Sequence, residues 1–272
     1  MEFAPTIPGL TSRDLEELRN AKALLENPTF AGRLASLLGG PVERGFRLLP
    51  KRWAETVHTA TKAALLKAIQ TAVSTLGSNR PRKSSERLHK VLVAASGGVG
   101  GIFGLAALPI ELPISTTIML RSIADIARSE GQDLDHVETR LNCLEVFALG
   151  GQSPRKTIAE SSYWTVRTAL ARALTEAASF IVEKGIVEES APAVTRFLTA
   201  IASRFGSVVS EQMAAKAVPL VGAASGAAIN LLFIGHFQAM ARGHFVIKRL
   251  EEKHGMDLIR QAYESLGISF EA

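Results

Sequence analysis

Cysteine and aromatic residues are scarce in this chain, and each shortage excludes a class of protein. Cys143 is the single cysteine among 272 residues, so neither an internal disulfide nor a cysteine-based metal site can form. This usage predicts a reducing compartment, with the cytoplasm as the default. Aromatic residues make up only 6% of the chain and no predicted helix concentrates Lys and Arg along one face, so we expect no nucleic-acid partner. Residues 1–5 place no basic patch before an apolar stretch, which predicts that no secretory signal is present.

The balance of apolar and charged residues is that of a folded protein. Apolar residues make up 47% and charged residues 21% of the sequence, which excludes wholesale disorder. The 31 Lys and Arg residues exceed the 26 Asp and Glu residues and leave a net charge of +5. This mild excess favours an anionic partner surface without requiring one.

Apolar residues recur at helical spacing along most of the chain, and strand-like alternation is nowhere sustained. We therefore predict an all-α fold, a bundle of many helices. Thr11 with Asp14 is typical of a capped helix start. Asp135 with Glu138 predicts a second capping box, for a helix that ends at Leu149.

Two long stretches carry no Asp, Glu, Lys or Arg. The first covers residues 91–110 and resumes after Glu111 as far as Leu120, and the second covers residues 217–241. Both reach about 20 residues, the length that a membrane-spanning helix needs. Glycines four residues apart allow close helix packing, and prolines in the stretches predict two bent, glycine-rich hairpins rather than straight spans. Insertion into lipid and burial in a soluble helical core both fit this pattern.

A cluster of basic residues precedes the first apolar stretch. Its members are Arg80, Arg82, Lys83, Arg87 and Lys90. Basic residues beside an apolar segment are attracted to anionic lipid headgroups by about 1 kcal/mol each. We interpret this cluster as a lipid-contacting surface, and the alternative is a solvated basic loop.

Several polar residues stand in apolar surroundings and form a candidate ligand or polar site. Glu111 lies between two prolines, and an ionised carboxylate there needs a partner. Arg121 and Asp125 share a helix face, so Arg121 is expected to pair with Asp125 or to reach Glu111 through a bend. Asn230 and His236 interrupt the second apolar stretch, and His236 is a further possible partner for the carboxylates. The alternative to a ligand site is a structural ion pair.

No motif in the sequence predicts a metal, a cofactor or a reaction. His236 and His244 are eight residues apart, about 12 Å along a helix, which is too far for one metal ion. Gly98 and Gly100 lack the third glycine of the dinucleotide fingerprint, because Phe103 stands in its place. No serine lies in a nucleophile elbow. We therefore expect no cofactor, and the sequence favours a protein that is not an enzyme without deciding the question.

Three segments resemble the bacterial EcsC family. The most specific is residues 104–131, with Glu-Leu-Pro at 111–113 and Arg-Ser-Ile at 121–123. Residues 144–151 resemble the family's helix that ends in glycines, and residues 217–230 resemble its late apolar motif. The resemblance covers roughly residues 50–255, so we interpret residues 1–49 as a helical lead-in and residues 50–272 as a single EcsC-like helical domain.

What this resemblance implies is limited, because the family is named from an operon that also encodes an ABC-type transporter linked to secretion. It carries over no catalytic residues. Glu111, Thr116, Arg121 and Asn230 match positions in the family's motifs, and they are candidate site residues on that ground.

These patterns together predict a protein on the cytoplasmic side of a membrane, peripheral or partly inserted. Its expected partners are a membrane lipid or a membrane protein, contacted through the basic cluster and the apolar hairpins. The alternative is a soluble enzyme, or a carrier of a small or lipid-like apolar ligand, with a buried polar pocket around Glu111 and Arg121. A scaffold protein is a third option.

Overall fold

The computed structural model describes residues 7–26, 30–38, 42–76, 108–151, 163–185, 191–217 and 223–266. Within these ranges the chain forms ten helices and no strand, which confirms the all-α prediction. The helices are α1 (Ser12–Glu26), α2 (Phe30–Leu38), α3 (Glu43–Phe46), α4 (Trp53–Thr75), α5 (Leu108–Ser129), α6 (Val137–Leu149), α7 (Tyr163–Lys184), α8 (Pro192–Lys216), α9 (Ala223–His254) and α10 (Met256–Ser265).

One of the two predicted capping boxes forms. The Thr11 amide donates to Asp14 Oδ2 at 3.0 Å and the Asp14 amide donates to Thr11 Oγ1 at 3.1 Å, so both residues cap α1. The prediction of a capping box formed by Asp135 and Glu138 is wrong. The N-cap of α6 is His136, which makes no side-chain cap hydrogen bond. Glu138 then occupies the second helical position, one short of the position that a capping box requires.

The long helix α9 is central to the packing. It contacts α1, α2, α5, α6, α8 and α10. Phe147, Phe205, Phe233 and Phe237 are fully buried where α6, α8 and α9 meet, with ring centroids 4.9 to 6.2 Å apart. Aromatic rings at these separations pack favourably and contribute much of the buried apolar surface.

A second buried cluster lies where α7, α9 and α10 meet α1. It is built on Tyr163, Trp164 and Tyr263, whose rings lie 5.2 to 5.9 Å from one another. Lys22 of α1 closes this region, since its ammonium donates to the carbonyl oxygens of Tyr263 and Leu266 at 2.8 and 2.6 Å. The cluster holds α7 and α10 in position around the cavity described below.

The described parts of the two apolar stretches lie in continuous helices. Helix α5 begins at Leu108 and continues through Pro113 to Ser129. Pro109 lies in the first turn, where the missing amide needs no acceptor, and Pro113 forgoes one backbone hydrogen bond, so neither proline breaks the helix. From residue 223 the second stretch forms the first part of α9, which continues through the charged residues after Arg242 to His254.

The basic cluster at residues 80–90, the glycine pairs at 97–104 and Pro219 lie outside the described residues. The hairpins therefore stay a prediction there. Among the helices that the structure describes, none is both long and apolar enough to cross a membrane.

Candidate functional site

Glu111 and Asn230, two of the residues predicted to form a site, are in contact. Glu111 Oε1 accepts hydrogen bonds from Lys216 Nζ at 2.9 Å and from Asn230 Nδ2 at 3.4 Å. Gln212 Nε2 donates to Asn230 Oδ1 at 2.9 Å and completes a buried group that joins α5, α8 and α9. The Lys216 and Glu111 side chains are only 8% and 12% exposed, so this ion pair is nearly sealed from water. Glu111 thus has the partner it needs, and that partner is Lys216.

The predicted pocket around Glu111 and Arg121 is not formed by this pair. The two residues lie on one continuous helix, ten residues or about 15 Å apart, and Arg121 is exposed. Asp125 accepts a hydrogen bond from Arg128 at 3.1 Å. Thr116 is fully buried, and its hydroxyl meets no hydrogen-bond partner among the described residues.

His236 is buried where α9 packs against α2 and the end of α6. Its Nε2 donates to the Gly150 carbonyl oxygen at 2.8 Å, because a carbonyl can only accept. Its ring packs against Phe30 and Phe237 at 5.5 and 5.3 Å. Burial lowers the pKa of His236 to about 4, so this side chain is neutral at physiological pH. The structure does not bring it to Glu111.

A cavity with charged, polar and aromatic lining residues lies elsewhere, between α6, α7, α9 and α10. It has a volume of about 420 Å³, within the range of small-molecule sites. We call it the Glu145 pocket, and its main polar lining residues are Asn142, Glu145, Trp164, Arg167, Lys248 and Arg260. Glu145 is only 3% exposed and lies one helical turn after Asn142 on α6.

A chain of hydrogen bonds runs behind the wall of this pocket. The Glu251 carboxylate accepts two hydrogen bonds from the Arg167 guanidinium, at 2.6 and 3.1 Å. Arg167 also donates to the Tyr163 hydroxyl oxygen at 3.2 Å, and that hydroxyl lies 3.0 Å from His244 Nδ1. Since guanidinium can only donate, the Tyr163 oxygen accepts and its proton is directed to His244 Nδ1. His244 accordingly carries its own proton on Nε2, which is 3.8 Å from Glu145 Oε2.

Burial determines the charge states of Glu145 and His244. It raises the pKa of Glu145 to about 7, and the positive charges of Arg167 and Lys248 limit the rise. Burial also lowers the pKa of His244 well below its usual range, aided by the same two cations. His244 is therefore neutral near pH 7, while Glu145 exchanges a proton there.

Trp164 forms the aromatic part of the pocket wall. The guanidinium carbons of Arg167 and Arg260 lie 5.0 and 5.8 Å from its ring centre, within the range of cation–π attraction. The Trp164 indole nitrogen is buried and finds no acceptor among the described side chains and backbone groups. A buried donor without an acceptor destabilises the folded protein unless a ligand or a water molecule accepts its hydrogen bond.

The sequence contains a signal for Glu145 that the prediction of the site missed. Glu145 stands alone among Cys143, Leu144, Val146 and Phe147, all completely buried, which is the pattern that singled out Glu111. His244 was considered only as a metal ligand. Its true partner, Tyr163, lies 81 positions earlier in the chain, and no local pattern connects the two. In the described part of the chain no three His, Cys, Asp or Glu side chains are placed to hold a metal ion.

A family model places this chain among known proteins. The EcsC protein family model matches residues 12–250. The chain belongs to the EcsC protein family. No curated protein and no solved structure matches the chain. The part of this EcsC-family chain that the model matches includes Glu145, Tyr163, Arg167, His244 and Lys248, whereas α10 lies beyond it.

Proposed function

We propose that this protein binds a small polar molecule in the Glu145 pocket and transfers a proton between that molecule and the Glu145 carboxyl group. The observation that carries the proposal is the buried Glu145 carboxyl at a cavity wall, facing a histidine whose orientation is set by Tyr163. A general acid or base works best when its pKa is close to the working pH. Buried carboxyls with perturbed pKa values in a cleft are concentrated at functional sites.

The proton balance of such a step is simple. Ionised Glu145 takes a proton from a donor atom of the bound molecule, and the new carboxylic acid returns a proton to the same molecule or to water. The His244 Nε2–H group, 3.8 Å away, is placed to stabilise the ionised form once the pair closes to hydrogen-bonding distance. Tyr163, Arg167 and Glu251 act as positioning residues, because they hold His244 in the tautomer that presents this proton.

Proton transfer can be tested without knowing the reaction. The full chain is incubated in D₂O with a panel of amino acids, hydroxy acids and phosphate esters, and ¹H NMR follows deuterium incorporation or conversion. We expect at least one compound to react with the wild type, and Glu145→Gln to lose the reaction. Glu16→Gln, an exposed carboxylate on α1, serves as the matched control and should retain it. A reaction that survives in Glu145→Gln, or a panel that is inert with the wild type, would overturn the assignment.

A second proposal concerns the membrane, and exposed apolar side chains support it. Ile110 and Ile114 are 72% and 50% exposed on the first turns of α5, within the first apolar stretch, which follows the basic cluster at residues 80–90 in the sequence. We propose that this region engages anionic lipid, or a membrane protein, on the cytoplasmic side, as a peripheral or partly inserted contact. Exposed isoleucines in a stretch that follows a basic cluster in the sequence suit such a surface.

Liposome flotation tests the membrane proposal. We expect the protein to float with anionic vesicles and the double variant Ile110→Ser with Ile114→Ser to float less. Val182→Ser is the control, since Val182 is 69% exposed on a different helix, α7. Recovery of the wild type in the unbound fraction with anionic vesicles would rule the proposal out.

A further inference from the structure

The charges that line the Glu145 pocket are unevenly compensated. Arg167 is neutralised by Glu251, and Arg260 forms an ion pair with Glu264 at 2.9 Å. Lys248, on α9, is partly buried at the pocket wall, and no carboxylate of the described residues pairs with its ammonium group. Its charge is nonetheless close enough to lower the pKa values of both Glu145 and His244. A partly buried ammonium group without a counterion is a docking point for an anion.

Two carboxylates, opposite in charge to Lys248, line the same cavity nearer to the solvent. Glu138 on α6 and Asp257 on α10 are both exposed, and neither pairs with a cation of the described residues. Glu138 lies two helical turns before Glu145 on the same face of α6, a rise of about 10 Å. The cavity therefore presents a cation on its wall and carboxylates at its solvent-exposed rim.

This arrangement points to the class of ligand, and the inference rests on the proposed binding function of the pocket. We propose that the ligand is a zwitterion whose carboxylate or phosphate group binds Lys248 and whose ammonium group lies toward Glu138 and Asp257. A phosphoethanolamine group and a dipeptide each carry both charges, and they represent this class in the test. A phosphoethanolamine group is available both as a free molecule and as a lipid headgroup, and the two sources are distinguished below.

The test uses Trp164 as a fluorescent reporter. The chain has two tryptophans, and Trp53 lies on α4, so Trp53→Phe leaves Trp164 as the single reporter at the pocket wall. Phosphoethanolamine and dialanine are titrated into this variant. We expect saturable quenching by both zwitterions, and at least tenfold weaker binding of ethyl phosphate and of ethanolamine, each of which carries one of the two charges.

Substitutions then test separately the residues that bind each end of the zwitterion. Lys248→Met is expected to weaken binding of phosphoethanolamine at least tenfold, and Lys248→Arg, which keeps the cation, to stay within about threefold of the parent. Glu138→Gln combined with Asp257→Asn should weaken phosphoethanolamine several-fold but leave ethyl phosphate unchanged. Lys62→Met, an exposed lysine on α4, is the control. Thermal unfolding of each variant confirms that it is folded.

Vesicles identify the source of the ligand. Quenching by phosphatidylethanolamine vesicles but not by phosphatidylcholine vesicles would assign the headgroup, and quenching by the free zwitterion alone would assign a soluble ligand. If ethyl phosphate or ethanolamine binds as tightly as the zwitterions, the zwitterion class is wrong while binding in the pocket stands. If none of these probes changes Trp164 fluorescence and the deuterium panel is also inert, both proposals fail.

Discussion

The hydroxyl group of Tyr163 on α7 donates to Nδ1 of His244 on α9, and this bond links the two helices inside the protein. Tyr163 is 4% exposed and His244 is completely buried. Because water cannot replace the bond, it determines which nitrogen of His244 carries the proton. The side of the His244 ring that presents a proton to Glu145 depends on this contact.

Tyr163→Phe should remove the partner of His244 Nδ1 without changing the shape of the core. An unsatisfied buried acceptor costs about 1–3 kcal/mol, so we expect the free energy of unfolding to fall by that amount in urea titrations. Tyr263→Phe is the control, because Tyr263 donates to the partly exposed Glu26, whose carboxylate water can solvate once the hydroxyl is removed. A Tyr163→Phe variant no less stable than Tyr263→Phe would contradict the buried bond.

Glu145 should change the way in which the free energy of unfolding depends on pH. The unfolded chain ionises this carboxyl near its usual pKa of 4.5, whereas the folded protein keeps it protonated to about pH 7. The folded state thus binds more protons between these values, and the contribution of Glu145 to stability falls as the pH rises through this window, by roughly 1.4 kcal/mol per pH unit. Glu145→Gln should therefore gain stability relative to the wild type from pH 4.5 to pH 7.

Urea unfolding at closely spaced pH values measures this difference. His236 and His244 have lowered pKa values and push the wild-type profile the opposite way, but they are present in both proteins, so the difference isolates Glu145. Glu16→Gln is again the matched control. A difference between Glu145→Gln and the wild type that stays constant with pH would show that Glu145 titrates normally.

The ion pair of Glu111 with Lys216 is expected to stabilise the folded protein and to take no part in the proposed proton transfer. Glu111→Gln leaves a nearly buried ammonium group unpaired, which should lower the free energy of unfolding by about 3 kcal/mol. The double variant Glu111→Met with Lys216→Met should recover most of this loss, because it leaves no unpaired charge. The deuterium exchange activity should be unchanged in folded protein. Loss of activity without loss of stability would make Glu111 a site residue instead.

Gly151 should be intolerant of any side chain. A Cβ atom added there would collide with the backbone carbonyl of Arg204 on α8, and a backbone cannot move aside as a side chain can. We expect Gly151→Ala to lower the melting temperature by well over 5 °C, from a loss of several kcal/mol. Gly235→Ala is the control, since no described atom lies within 4 Å of the added Cβ on α9, and its helix propensity should improve. Equal melting temperatures for the two variants would refute the close approach.

The helices were predictable because their signals are local. The spacing of apolar residues and the Thr11 cap depend on neighbours within a few positions, and the described residues form the all-α fold that this spacing predicted, with Thr11 and Asp14 capping α1. The error at Asp135 was also local, since it concerned a helix start displaced by a single residue. Such differences are common at helix ends.

The polar residues were harder to assign, because an isolated charge in an apolar stretch reveals its need for a partner but not the identity of that partner. Glu111 needed a cation, and the sequence suggested Arg121 through a bend at the prolines. The prolines are accommodated within the first turns of α5, so the helix continues without a break, and Lys216 of α8 supplies the cation.

The helical class, the family and the presence of stranded charges can be worked out from residue order, since each depends on short-range periodicity or on a contiguous motif. The Glu145 pocket cannot, because Glu145, Tyr163 and His244 come from α6, α7 and α9 and meet only when those helices pack. Burial, which shifts the pKa of Glu145, is likewise a property of the packed helices. Packing therefore determines which of the isolated polar residues stabilise the fold and which line a cavity.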